Sequence, residues 1–272
     1  MREPDLMHAE HRCVRCGPVA PLHVPEHISA EIMASVVERV AADPDPADRL
    51  RMPLWCPWPL PPGWTLTGVA WAGDDRAGVR ATLVACAGPA PLDGGPADLI
   101  FVAEEPGVGL GSRFAGLPGP DPGPQVEEAL TDPGPGHPER LPHAKIRAGG
   151  HPTPLWLVRS ETDRSAYAGE ARGMWLHAIA WPASAGHLLA EEVVLHDLTE
   201  WTPPESCTAH RLRTCMGGPD RLATASRRAD ADIHGKTHAD TLGAAAVNGP
   251  GAAREDGPLW SRRSSPGPAS HS

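Results

Sequence analysis

The sequence predicts an α+β fold: a mainly antiparallel β-sheet domain, preceded by a helix and a cysteine-bearing arm and followed by a disordered tail. Three observations carry this. Between Leu54 and about Leu198 the chain is a succession of short β-like runs broken by Gly and Pro. No ten-residue amphipathic stretch separates those runs, so consecutive antiparallel pairing is expected rather than βαβ units. Both ends are poor in patterned apolar residues and cannot offset the entropy of ordering. The implied organisation is an arm over 1–28, a helix and linker over 29–53, the sheet domain over 54–202 and a low-complexity tail over 203–272.

Taken in order, the arm "HAEHRCVRCGPVAPLHVPEH" sets Cys13 and Cys16 at the spacing of a zinc knuckle, with no second CxxC after it. In "SAEIMASVVERVAAD", Ile32, Val36 and Val40 share a face beside Met33 and Val37, and Ser29 suits the N-cap. Asp43-Pro44-Asp45-Pro46 ends that helix, because proline removes a donor and restricts the residue before it. The runs "WTLTGVAWAG" and "VRATLVACAG" flank Gly73-Asp74-Asp75-Arg76, a polar, αL-tolerant hairpin turn. "DLIFVAEE", "AKIRAGG", "PLWLVRS", "SAYAGEA", "GMWLHAIAWP" and "EEVVLHDL" supply further strands. "SAGHLLAEEVVLHDL" is ambiguous, with a short helix opening it and a strand finishing it as the expected form. The Pro/Gly-rich "GLPGPDPGPQVEEALTDPGPGHPERLPH" is expected to be an irregular surface excursion that buries little.

A net charge of −10 argues against a nucleic-acid partner, since phosphate contacts need a basic face. No run reaches the roughly 18 apolar residues of a membrane span, and "MREPDLMHAEHR" has no secretory apolar core. Six cysteines, scattered apart from one pair, do not form a disulfide framework, so a reducing cytoplasmic setting is expected.

Tetrahedral zinc needs four N or S ligands. Cys13 and Cys16 supply two, and His23 and His27 stand close behind. Three arrangements remain open: a site completed by these histidines, a zinc shared between two chains of a homodimer, or a relic that binds no metal. For catalysis, Glu104, Glu105 and Asp74 are the candidate acid-base carboxylates, with Arg76, Arg80 and Arg113 as anion-binding candidates. Gly107, Gly109 and Gly111 follow a strand, but Ser112 stands where a dinucleotide loop needs its third glycine. Cys56 and Cys86, in apolar surroundings, read as small core residues, while a Cys-His nucleophile would need His143, His151 or His177 nearby. Trp55, Trp58 and Trp64 in "PLWCPWPLPPGW" read first as core filler, and secondly as a groove for a ligand or proline-rich peptide.

The runs from Met52 to Pro124, then "HAKIRAGGHPTPLWLV", "AYAGEARGMWLHAIAWP" and "EEVVLHDL", resemble an actinobacterial family built on a domain of unknown function, over roughly residues 12–200. Such proteins open with CxxC and then CxxHG. Here Cys13–Gly17 is similar to the second element, with Cys16 in place of His, which implies a degenerate zinc-ribbon arm lacking its first half. The resemblance implies no activity. The expected function is a cytoplasmic binding or regulatory protein with an unidentified protein or small-molecule ligand. The alternative is an acyl- or phosphoryl-transfer enzyme using Glu104, Glu105 and nearby arginines.

Overall fold

The computed structural model describes residues 11–13, 17–25, 27–42, 51–90, 92, 95–131 and 142–202, without the side chains at 13 and 17. All lie in the first of two units into which the chain divides, residues 1–233. The tail at 203–272, the linker at 43–50 and Cys16 fall outside the described residues.

Helix α1 (Ala30–Ala41) begins where the sequence places its cap: extended Ser29 accepts the Ile32 N–H through Oγ at 3.2 Å. Glu31 in the first turn and Arg39 in the last complement the helix dipole. Met33, Val36 and Val40 are the buried face, with Ile32 and Val37 half-buried at its margins.

β1 (Arg12–Cys13) and β2 (Gly17–Pro18) pair with each other as a small ribbon. The remaining strands form one ten-stranded sheet. They are β3 (Leu22–His23), β4 (Trp55–Pro57), β5 (Thr65–Asp74), β6 (Gly78–Pro89), β7 (Pro96–Glu104), β8 (Ala144–Ala148), β9 (His151–Val158), β10 (Ser165–Ala171), β11 (Met174–Trp181) and β12 (Val193–Asp197). Their order is β3-β5-β6-β7-β11-β10-β9-β8-β12-β4. Neighbours are antiparallel as expected, except that β12 joins β8 in parallel, Val193 opposite Ile146. The connection from β8 out through β9, β10, β11 and a 3-10 helix (Ala183–Leu189) is long enough for β12 to return alongside β8 in the same direction.

Both faces of the central strands are covered, which explains why β6, β7 and β11 read as nearly continuous apolar runs. Val84, Cys86, Leu99, Phe101, Leu176 and Ala178 face one cluster with α1, β4, β8 and β12. Leu83, Ile100, Val102 and Ile179 face the other, under α2 (Leu110–Ala115) and α3 (Gly123–Thr131). The stretch expected to bury little therefore does more: Leu117 and Val126 join this second cluster. Val126 and the half-buried Leu130 stand one helical turn apart, enough to seat α3 on the sheet face despite the surrounding prolines. Residues 132–141 fall outside the described residues.

Candidate functional site

Strands β7 and β11 lie side by side with Trp175 opposite Glu104, which puts His177 two residues along on the same face as Glu104. Both side chains are wholly buried, and His177 Nε2 lies 2.9 Å from Glu104 Oε1. The distance suits a hydrogen bond but the direction does not: neither atom has a correctly angled partner, so the contact is electrostatic. His177 Nδ1 is likewise buried without a hydrogen-bond partner among the described residues. The other carboxylate oxygen, Oε2, accepts the backbone N–H groups of Leu110 and Gly111, the latter at 3.1 Å. The imidazole lies so close to α2 that a Cβ on Gly111 would meet His177 Cδ2 at 2.2 Å.

The segment carrying α2 is fastened at further points. Asp121 Oδ1 accepts from Gly107 N at 2.8 Å and from the Trp175 indole at 3.1 Å. Buried Ser112 donates to the Pro120 carbonyl. At the far end the fully buried Arg164 guanidinium donates to Phe114 O at 2.9 Å, lies over Trp181 at 4.8 Å and pairs with Asp163.

The three candidate carboxylates do not converge on a shared pocket. Glu104 is sealed beneath α2. Glu105 receives Arg80 at 2.9 Å. Asp74 accepts the N–H groups of Arg76 and Ala77, closing the predicted hairpin turn. Arg113 is exposed on α2. His177 stands beside Glu104, while His143 Nδ1 accepts from Leu157 N and His151 is exposed. Cys56 and Cys86 are buried thiols outside any disulfide, as their apolar surroundings implied, and burial pushes the Cys56 thiol up to about 12.

Cys16 and the Cys13 side chain lie outside the described residues. His23 stacks on Trp71 with ring centroids 3.8 Å apart, and its Nε2 donates to Gly73 O at 3.1 Å. Only Nδ1 is then left to it as a ligand atom. Arg39 also lies over Trp71, at 4.8 Å, and pairs with Asp75. His27 is exposed. Among the described residues no group of three His, Cys, Asp or Glu side chains could hold a metal ion.

Trp55 and Trp64 are core residues, 1% and 2% exposed. Trp58 is different. It is half-buried, with Trp201 at 6.0 Å, and Trp201 stacks on His196 at 4.4 Å. This patch sits where β4 meets β12, His196 pairing with Cys56. Residue reading missed Trp201 and His196 because they are distant in sequence from the Trp/Pro stretch they join. It also missed the cluster that closes the same end of the sheet. Buried Asp197 accepts from Leu54 N, Thr199 N, Thr199 Oγ1 and Arg172. Arg172 lies 5.1 Å over Trp55 and also grips Glu200, whose carboxyl it holds below the usual carboxylate range.

This buried acid-imidazole pair under a short capping helix, on a sheet covered on both faces, defines a mainly antiparallel α+β domain with one such pair sealed in its interior. The chain belongs to a family of unknown function (DUF6758), whose profile matches residues 1–209. No curated protein and no solved structure matches it. No helix among the described residues is long and apolar enough to cross a membrane.

Proposed function

We propose that the protein is a binding or regulatory protein that takes a proline-rich or planar ligand on the Trp58, His196 and Trp201 patch. One observation carries this: these aromatic side chains are grouped together and half-buried against the core, whereas Trp55 and Trp64 are closed into it. Rigid aromatic faces recognise proline rings and planar groups at low entropic cost. The alternative, acyl or phosphoryl transfer, loses support because Glu104 is buried away from any substrate and Glu105 and Asp74 are engaged elsewhere. Titration with an oligoproline peptide tests the reading. A saturable change in tryptophan fluorescence is expected, lost in Trp58→Ala at unchanged melting temperature. A flat titration, or one that survives Trp58→Ala, removes the patch as the site.

For the N-terminal arm we infer a degenerate zinc ribbon of the actinobacterial kind, working in a reducing cytoplasm. Its support is the β1–β2 register, which sets Cys13 opposite Gly17, together with the His23 ring, whose Nε2 is the nitrogen engaged by Gly73 O. Cys56 and Cys86, thiols outside any disulfide, suit that compartment. Elemental analysis with native mass spectrometry reads the result. Zinc at one per chain supports completion by His23 and His27, and one per two chains supports a shared site in a homodimer. Metal-free protein after purification in zinc-supplemented buffer removes the inference.

A further inference from the structure

Among the described residues, the helix over the buried pair is unusual in how it is held. Glycines with positive φ stand on both sides of α2: Gly107 and Gly109 before it, at 85° and 77°, and Gly116 and Gly119 after it, at 73° and 83°. Such residues change backbone conformation at little steric cost, so they suit hinges. Between them α2 offers the sheet one short turn of apolar contact, Leu110, Phe114 and Ala115, continued by Leu117 just beyond it. At its N-terminal end the attachment is the Glu104 carboxylate, with the His177 ring pressed against Gly111.

We propose that the Glu104–His177 pair is a proton-controlled latch on α2: one proton shared by the pair keeps the helix closed, and a second proton releases it. With one proton the pair carries no net charge, and as long as Glu104 is the carboxylate Oε2 is a strong acceptor for two N–H groups. A second proton leaves a net positive charge on two wholly buried side chains and weakens that acceptor. The open helix admits water to both groups, so acid favours opening. Release would uncover Leu110 and Phe114 together with Ile100, Val102 and Ile179 beneath them.

The other ionisable groups on the elements packed around the pair are already engaged or remote. Glu105 is paired with Arg80 across β6 and β7, Asp121 with Gly107 and Trp175, and Glu170 with the Gly173 N–H. Asp98 stands at the opposite end of β7, facing Trp181. Arg113, on α2, and Arg164, which reaches Phe114 O, are cations and oppose the second proton rather than share it, while Asp163 is paired with Arg164 and Glu161 lies against Gly116 beyond the far end of α2. The latch is independent of the aromatic patch.

Amide hydrogen exchange on the full chain, from about pH 8 down to about pH 4, covers the range over which imidazoles and carboxylates in general take up protons. After correction for intrinsic rates, protection of Leu110 and Gly111 is expected to fall tenfold per pH unit across the release, as linkage to one extra proton requires. Val84 and Phe101, in the sheet, should keep theirs. Glu104→Gln should flatten the pH dependence at Leu110 and Gly111, and if that variant fails to fold the wild-type profile decides alone. Protection at α2 that is constant with pH, that falls only together with the strands, or that keeps its tenfold slope in Glu104→Gln overturns the proposal.

Discussion

Cys56 shows how burial alone sets chemistry in this protein. Its side chain is fully enclosed on β4, and the S–H has only the Pro57 carbonyl, at 3.7 Å, to point towards. Desolvation raises the thiol from 9.0 to about 12. Because the folded value lies above the unfolded one, the stabilisation is complete below about pH 9 and is lost as the pH climbs towards 12. The loss amounts to about 1.4 kcal/mol per pH unit in that window. Denaturant midpoints at about pH 8 and about pH 10 should therefore drop further for the wild type than for Cys56→Ala, which has no thiol to ionise. At neutral pH the alanine variant should be the less stable of the two by about 1 kcal/mol, for the small cavity it leaves. Parallel pH profiles in the two proteins would mean that the thiol is not sealed. Glu200 shows the opposite sign on the surface. Its depressed carboxyl adds stability that is lost in acid, but half-exposed ion pairs of this kind contribute little.

At the scale of elements, legibility followed period and punctuation. The cap at Ser29, the stripe of α1 and the Gly73–Arg76 turn were readable because each depends on residues within a few positions of one another. The ambiguous "SAGHLLAEEVVLHDL" stretch resolves into a short 3-10 helix followed by β12, a helix opening and a strand ending. Pairing partners were not readable, since β7 meets β11 across some seventy residues and local chemistry says nothing about that choice. One irregularity is chemical and local, however. Leu155 faces β8, its carbonyl accepting from His143 N, so Pro152 and Pro154 present their nitrogens towards β10. Neither has an N–H to donate. The β9–β10 ladder accordingly stops at Trp156 opposite Ala168, while β9 continues against β8 down to His151. Gly169 fits there because the Pro154 carbonyl would lie 2.4 Å from any Cβ. Of the candidate site, Glu104 was identifiable as a carboxylate ending an apolar strand. Its partner was not, because a lone His in "MWLHAIAW" looks the same whether it faces a cysteine, a carboxylate or nothing.

For the whole described domain the consequence of a two-faced sheet is mechanical unity. β6, β7 and β11 each send alternate side chains to both clusters, Leu83 against Val84, Ile100 against Phe101, Ile179 against Ala178. Neither cluster can lose its packing without stripping one face of the same three strands, so the two should melt as one. A pair of conservative truncations separates this from two independent cores. Ile146 is buried on β8 in the first cluster and Ile179 on β11 in the second. Ile→Val at either place should cost about 0.5–1.5 kcal/mol. Each should shift a single transition, with far-UV circular dichroism and tryptophan fluorescence coinciding in both variants. Since the two sites share no cluster, the double variant should lose about the sum of the two costs, within about 0.5 kcal/mol. Local opening of α2 in acid is compatible with this, because hinged segments open well below the global free energy. Two resolved transitions in Ile179→Val, one of them unmoved by Ile146→Val, would instead mean that the face under α2 and α3 is a separate cooperative unit laid on an already stable sheet.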